Sequence, residues 1–186
     1  MKIIAGVDEV GRGSLIGPVY AAAVILNSSI NKGNLKDSKK ISKKERERLS
    51  KLIKKKSIWS LGQASVKEIE KLNILNASLL AMKRAIIKLK KKPKLVLIDG
   101  NKLPFIKNYN LKYIIKGDQQ ISSISAASII AKVSRDKFIT KLSEEFSQYG
   151  WDTNSGYGTK EHLKAIKKFG ITKYHRKTFS PICDLL

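Results

Sequence analysis

Short apolar runs alternate with longer amphipathic stretches along this chain of 186 residues. The apolar runs predict strands at 3–10, 19–26, 58–65, 95–98 and 111–115. The 3.6-residue periodicity predicts helices at 43–55, 66–90, 121–146 and 160–168. Early strands, a mixed order of elements and two long helices predict an α/β or α+β sheet covered by helices.

Residues at the ends of the predicted elements support this division. Ser42 and Glu45 have the spacing of a capping box before a charged helix that we expect to be exposed, and the helix at 66–90 is expected to break near 73–76. The segment 11–18 resembles a hairpin connection between two strands. We expect a single domain over 1–186, with 159–186 forming a helical and irregular C-terminal extension.

Three of the predicted strands are followed by acidic residues. Asp8 and Glu9 end the first strand, Asp99 follows the strand at 95–98, and Asp118 comes shortly after 111–115. An isolated Asp-Glu pair is ordinarily a solvated turn, but adjacent buried carboxylates need a positive partner. Mg²⁺ and Mn²⁺ take oxygen ligands, usually one or two carboxylates together with substrate phosphates. The repeated placement therefore favours a metal site.

A glycine-rich segment, GRGSLIG at 11–17, follows the first acids. Its spacing is not that of a dinucleotide-binding loop, and no predicted helix follows it to receive a pyrophosphate. The charges of Asp8 and Glu9 would also repel a pyrophosphate unless a metal were present. With a metal, the glycines would let a sugar-phosphate backbone approach, which indicates a phosphodiester site.

The net charge of +23 and the pI near 10.1 suggest a polyanionic partner such as nucleic acid. Only six of the 38 basic residues are arginines, and the lysines are spread throughout, as a compositionally biased genome can produce. Charge alone therefore does not separate an enzyme from a basic binding protein. A single cysteine, no signal-peptide pattern and no apolar run of membrane-spanning length lead us to expect a cytoplasmic protein without membrane contact.

An ordered series of motifs across almost the whole chain resembles ribonuclease HII, the type 2 ribonuclease H. The motifs are GVDEVGRG at 6–13, GPV at 17–19, DSKKIS at 37–42, LIDGN at 97–101, KGD at 116–118, SAASIIAKVSRD at 125–136, GYGT at 156–159, His162 and the pair His175-Arg176. The resemblance implies an α/β ribonuclease H-like fold: a central mixed five-stranded sheet flanked by helices, with a helical C-terminal part. We expect neither the extra N-terminal domain of ribonuclease HIII nor a C-terminal clamp-binding peptide.

The resemblance also implies an endoribonuclease that hydrolyses the RNA strand of RNA–DNA hybrids and nicks duplex DNA 5′ to embedded ribonucleotides. Two divalent ions, Mn²⁺ or Mg²⁺, would be gathered by four carboxylates, those of Asp8, Glu9, Asp99 and Asp118. Asp136 is an alternative to Asp118 as the fourth metal-binding carboxylate. Its ordinary interpretation, however, is an ion pair with a neighbouring basic side chain. The products would carry a 3′ hydroxyl and a 5′ phosphate.

The same resemblance implies the substrate contacts. The backbone that would contact the 2′ hydroxyl belongs to Gly11, Arg12 and Gly13. The ring of Tyr157 would pack on the next sugar, which it prefers to be deoxyribose. The candidates for phosphate contacts are Lys39, Lys40, Lys132 and Arg135. We expect His162 on a helix surface near the substrate channel and His175 against the C-terminal tail.

Two other functions remain open. A basic nucleic-acid-binding protein would retain a ribonuclease H-like fold without catalysis, but it would have no need of the four carboxylates. A resolvase or integrase core would be a different metal nuclease on the same fold, but a DNA-only enzyme has no use for a 2′-hydroxyl sensor. We expect a monomer that acts on RNA–DNA hybrids and on DNA containing ribonucleotides.

Overall fold

A computed structural model describes residues 3–35 and 41–185 of the chain. The strands are β1 (Ile4–Val10), β2 (Val19–Ile25), β3 (Ile58–Ala64), β4 (Leu95–Asp99) and β5 (Leu111–Ile114). The helices are α1 (Lys43–Lys56), α2 (Val66–Ile87), α3 (Gly117–Gln120), α4 (Ser122–Glu145), α5 (Trp151–Asn154) and α6 (Lys160–Phe169). Every predicted strand and helix is present with small shifts at its ends, whereas the one-turn helices α3 and α5 were not predicted.

The five strands form a mixed sheet in the order β3-β2-β1-β4-β5. β1 and β2 are antiparallel, as the predicted hairpin requires, and β2 is antiparallel to β3. β4 runs parallel to both β1 and β5. The carboxyl ends of β1, β4 and β5 therefore meet at one edge of the sheet, which is where parallel sheets form their clefts. The predicted fold class is confirmed.

One face of the sheet packs against α2. Ala5 and Val7 of β1 point to this face, as the two-residue period of a strand dictates, and they join a core that includes Met82 and Ile86 of α2. Asn73 interrupts α2 with a positive φ of 65°, which confirms the predicted break.

The other face packs against α4 and α1. Gly6 of β1 faces α4 so closely that a Cβ atom there would collide with the helix backbone at Ser123. The expectation that α1 is exposed is confirmed for its charged face only, because Leu49 and Ile53 on its other face are fully buried in this core. Ser42 caps α1 by accepting a hydrogen bond from the Glu45 amide, 3.2 Å away. The close approach at Gly6 brings α4 alongside β1 as far as the end of the strand.

The C-terminal part forms a third apolar cluster beside residues 15 and 16. Trp151 is fully buried there, and its indole N–H donates to Nε2 of His162 over 2.9 Å. The expected surface position of His162 was wrong, since that ring is fully buried between Trp151 and the backbone of Tyr157. Within the described part of the chain, no helix is long and apolar enough to cross a membrane.

Candidate active site

Three of the predicted acidic residues meet where β1 and β4 end. Val7 pairs with Ile98 in the parallel register, so the next position on each strand places Asp8 beside Asp99. These two residues and Glu9 line a cavity of about 320 Å³, which we call the acidic cleft. The residues that line the acidic cleft are Asp8, Glu9, Val10, Arg46, Asp99, Ser128, Lys132 and Tyr157.

The carboxylates of the acidic cleft repel one another, and Asp8 is buried whereas Glu9 and Asp99 are half-buried. Burial raises the pKa of Asp8 well above its ordinary value, and the charges of Glu9 and Asp99 raise it further. A hydrogen bond from Ser128 opposes that shift. Burial also raises the pKa of Glu9, although the guanidinium of Arg12, 3.4 Å from its Oε1, works in the other direction. A cation in the cleft would relieve this repulsion.

Asp118 lies next to the acidic cleft rather than in its wall. It belongs to the single turn α3, whose first residue, Gly117, donates its amide to Oδ1 of Asp99 over 2.7 Å. The Ser125 hydroxyl donates to the Asp118 carbonyl over 2.5 Å, which fixes the turn on α4. The Asp118 side chain is buried, at 4% exposure. The neighbouring Gly117 thus links the turn that carries Asp118 to Asp99, although Asp118 does not line the cleft.

The residues of the acidic cleft fit a divalent cation that is held jointly with substrate. Their donors are carboxylate oxygens, the ligands that Mg²⁺ and Mn²⁺ prefer. Among residues 3–35 and 41–185, no group of three or more His, Cys, Asp or Glu side chains is arranged so that it could hold a metal ion by itself. Mg²⁺ needs no such cage, since it commonly binds one or two carboxylates and completes its shell with waters and phosphate oxygens.

Asp136 is engaged in an ion pair. Its carboxylate lies 2.9 Å from the ammonium of Lys132, one helical turn earlier on α4. This confirms the ion-pair interpretation of Asp136. It also means that Lys132, although it lines the acidic cleft, already has a partner and would have to share its charge with a phosphate.

Residues 11–13 and Tyr157 lie together at the rim of the acidic cleft. Gly11 is buried with a φ of 91°, a conformation that favours glycine, and Gly13 is exposed. The Cε1 atom of Tyr157 lies 3.9 Å from the position that a Cβ would take at Gly13. Tyr157 is 38% exposed and lines the cleft, so part of its side chain is accessible to a ligand. The structure thus places the predicted 2′-hydroxyl and sugar contacts side by side.

Arg135 cannot contact a phosphate in this structure, which corrects that prediction. Its side chain is fully buried, and its N–H groups point away from the cleft into the protein. The acceptors of Arg135 are the Ser14 hydroxyl and the carbonyls of Ile16, Pro18 and Ser155. Lys39 and Lys40, the other lysines predicted at phosphates, lie outside the described residues.

Comparison with known proteins assigns the chain to a family. The family model of ribonuclease HII matches residues 5–181. The chain belongs to the ribonuclease HII family. It is 82% identical over 186 residues to the ribonuclease HII of Pelagibacter ubique, with all of both chains covered. It is 46% identical over 185 residues to that of Neisseria meningitidis serogroup B, covering 99% of this chain and 95% of the relative.

Membership of the family makes the chain a ribonuclease H, a metal-dependent hydrolase that acts on nucleic acid. Solved structures agree on the fold. Ribonuclease H2 from Pyrococcus horikoshii superposes with a TM-score of 0.83 at 24% identity, covering 98% of this chain and 96% of that one. A Bst ribonuclease HIII, determined in complex with Mn²⁺, gives 0.77 at 18% identity, covering 97% and 68% of the two chains.

Two residues of the cleft wall were missed as site residues in the sequence, namely Ser128 and Arg46. The position of Ser128 opposite Asp8 can be predicted once α4 is known to pack against β1. Four helix residues advance about 6 Å and two strand residues about 6.6 Å, so Ser128 comes opposite Asp8 as Ile124 comes opposite Gly6. Arg46 sits on α1 among many basic residues, and nothing in its local sequence distinguishes it.

Proposed function

We propose that this chain hydrolyses the RNA strand of RNA–DNA hybrids and nicks duplex DNA on the 5′ side of embedded ribonucleotides. The products carry a 3′ hydroxyl and a 5′ phosphate. The observation that supports this proposal is the shared wall of the acidic cleft, where three carboxylates stand beside residues 11–13 and Tyr157. Phosphodiester chemistry and recognition of a ribose are thereby available at one place.

The carboxylates of Asp8, Glu9 and Asp99 would hold two divalent ions, Mg²⁺ or Mn²⁺, with Asp118 as a fourth ligand. The chemistry that such ions supply is activation of the attacking water and stabilisation of charge at the leaving 3′ oxygen. The chain itself orients these ligands. The Gly117 amide fixes one oxygen of Asp99, and the Ser128 hydroxyl steadies Asp8.

Recognition would depend on the rim of the acidic cleft. A 2′ hydroxyl is both donor and acceptor, and it is the group by which a protein tells RNA from DNA. Within residues 11–13, the exposed backbone at Arg12 and Gly13 would be open to such a group, since Gly13 carries no side chain to obstruct it. The accessible part of the Tyr157 side chain offers a surface for the following sugar, and a deoxyribose packs there without an extra hydroxyl to desolvate.

The decisive experiment is a cleavage assay on a labelled DNA duplex that contains one ribonucleotide. We expect a single nick 5′ to the ribonucleotide when Mg²⁺ or Mn²⁺ is present, and no nick in excess chelator. The all-DNA duplex of the same sequence is the control and should stay intact. Cleavage that persists in chelator would contradict the two-metal proposal.

The alternative, a basic binding protein without catalysis, predicts a different result in the same assay. Such a protein would shift the duplex in a gel but leave it intact under both ions. The net charge of +23 favours binding of any polyanion and so does not discriminate between the two functions. A monomeric state and a cytoplasmic location remain part of the proposal, and they rest on the sequence alone.

A further inference from the structure

Two buried arginines lie behind the glycine-rich segment 11–18, on the side away from the acidic cleft. Arg135 comes from α4 and Arg176 from the C-terminal tail, and both side chains are fully buried. Asp136 attracts Arg135 electrostatically but pairs with Lys132. The hydrogen bonds of both guanidiniums go to neutral oxygens, and Arg176 also lies over the ring of Phe179. Their contacts show what these two charges do.

Arg135 ties the glycine-rich segment to the loop that carries Tyr157. Its Nη2 donates to the Ser14 hydroxyl over 2.7 Å, and its Nη1 donates to the Ser155 carbonyl over 3.1 Å. The Ser14 hydroxyl lies 3.0 Å from the Gly156 carbonyl and can donate to it. Arg135 also fills the space beside Gly11, where a Cβ atom would collide with its Nε. One guanidinium therefore touches both sides of the rim.

Arg176 fixes the glycine-rich segment from its other side. Its Nη1 donates to the Arg12 carbonyl and its Nε to the Gly17 carbonyl, each over 2.9 Å. Its own amide donates to the Leu15 carbonyl over 2.8 Å. These bonds hold three carbonyls of the segment against Arg176, while residues 12 and 13 stay exposed.

We propose that Arg135 and Arg176 are positioning residues, which set the spacing between residues 11–13 and Tyr157 and thereby the preference for a ribonucleotide followed by a deoxyribonucleotide. This inference rests on the proposed function, because it assigns a cause to that preference. The fork of a guanidinium is essential to it. A lysine would retain the charge but would offer a point donor that cannot hold two carbonyls in fixed relation.

The test compares two substrates in each variant, Arg135→Lys and Arg176→Lys. We expect the ratio of kcat/KM on a single-ribonucleotide duplex to kcat/KM on an all-RNA hybrid to fall about tenfold or more, since a displacement near 1 Å can cost that much. The hybrid offers a ribose at every position, so its cleavage depends less on the spacing of the rim. A general loss of folded protein would lower both values equally and leave the ratio unchanged.

Two further variants protect the test against misfolding. Ser14→Ala removes the hydroxyl that links Arg135 to the Gly156 carbonyl, and it should lower the ratio in the same direction by a smaller factor. Arg84→Lys is the matched control. Arg84 also bonds a carbonyl, that of Gln63, together with the carboxylate of Glu68, but it lies on α2 away from the cleft. We expect Arg84→Lys to lower the melting temperature and leave the ratio unchanged.

The outcomes separate the inference from the proposed function. If the wild-type chain shows no preference between the two substrates, the proposed recognition fails before any variant is made. If the wild type discriminates and both lysine variants retain the full ratio as folded proteins, the positioning role is overturned. The positioning role is supported if the ratio of the two kcat/KM values falls in Ser14→Ala and in both lysine variants but is unchanged in Arg84→Lys.

Discussion

The acidic cleft and the arginines behind the glycine-rich segment are two groups of buried like charges, but the protein treats them differently. The guanidinium of Arg135 donates four hydrogen bonds to neutral oxygens. The carboxylate of Asp8 has Ser128 and the Glu9 amide as donors, and it faces two further negative charges. Arg176 is less fully satisfied, since its buried Nη2 has no hydrogen-bond partner among the described residues. Burial and the charge of Arg135 lower the pKa of Arg176 to about 9, yet the group stays protonated at neutral pH.

This difference indicates which group belongs to the fold and which to the chemistry. A buried charge whose donors are satisfied stabilises a conformation, whereas a buried charge left in repulsion destabilises the folded chain until a ligand arrives. The acidic cleft therefore carries a cost in stability that a divalent ion would offset. The predictions below test this contrast, beginning with the largest expected effect.

Replacing Asp8 by Asn should remove activity and stabilise the fold. Loss of a carboxylate that would bind the metal ions should remove several kcal/mol of transition-state stabilisation. We therefore expect activity on a single-ribonucleotide duplex to fall by about 10³-fold or more. The raised pKa of Asp8 means that its ionised form destabilises the folded chain at neutral pH. The melting temperature without metal should rise by about 2 to 4 °C, as roughly 1 kcal/mol gives in a chain of this size. A fall in melting temperature would contradict the view that the cleft carboxylates destabilise the metal-free protein.

Asp118 and Asp136 can be compared directly. Asp118 is buried beside the acidic cleft, whereas Asp136 lies outside it in an ion pair with Lys132. Asp118→Asn should reduce activity by about 10²-fold or more, because it removes a proposed ligand next to Asp99. Asp136→Asn should cost only a few-fold, since it releases the Lys132 ammonium from its ion pair. Initial rates at saturating Mg²⁺ and Mn²⁺ measure both. The opposite ranking would assign the fourth ligand to Asp136.

Removing a guanidinium should have the opposite effect on stability from removing a carboxylate. Arg135→Ala leaves buried carbonyls of the glycine-rich segment without donors, and each such loss costs about 1 to 3 kcal/mol. We expect the free energy of unfolding to fall by about 3 kcal/mol or more in urea denaturation. Lys137→Ala, a neighbouring change on the same helix at a surface position, serves as the control. Equal losses of unfolding free energy in the two variants would show that the hydrogen bonds of Arg135 do not stabilise the glycine-rich segment.

Acidification should weaken the C-terminal cluster by adding positive charge near the arginines. Burial, together with the charge of the neighbouring His162 ring, lowers the pKa of His175 to about 4. The unfolded chain binds this proton near pH 6.5, so the stability due to neutral His175 is complete above 6.5 and lost between 6.5 and 4. The expected loss is about 2 to 3 kcal/mol.

The measurement is the difference in unfolding free energy between the wild type and His175→Phe across that range. Taking the difference cancels the opposite contribution of Asp8 and Glu9, whose raised pKa values make protonation stabilising in the same window. His162 faces His175 with its ring centroid 5.5 Å away and is retained in both proteins. A difference that does not change with pH would show that His175 accepts a proton at little cost.

Local pattern accounts for most of the fold and for part of the site. Strands were readable because a two-residue period and apolar runs depend on neighbours in sequence. The acids at the strand ends were also readable, but the structure shows that β1 and β4 are parallel and so bring Asp8 and Asp99 to the same end of the sheet. The two short helices were missed, because a single turn such as α3 is held by Ser125 and Asp99 rather than by its own periodicity. The metal-ligand roles remain predictions.

The sequence by itself determined the order of elements, the family and the acids at the strand ends, because each depends on residues that lie close together along the chain. Only the tertiary structure decided the roles of Arg135, His162 and Ser128. Arg135 meets Ser14 across 121 positions, and His162 is buried by a tryptophan that belongs to a different helix. Whether a charged side chain serves a ligand or the fold depends on which distant carbonyls surround it, and no local pattern records those partners.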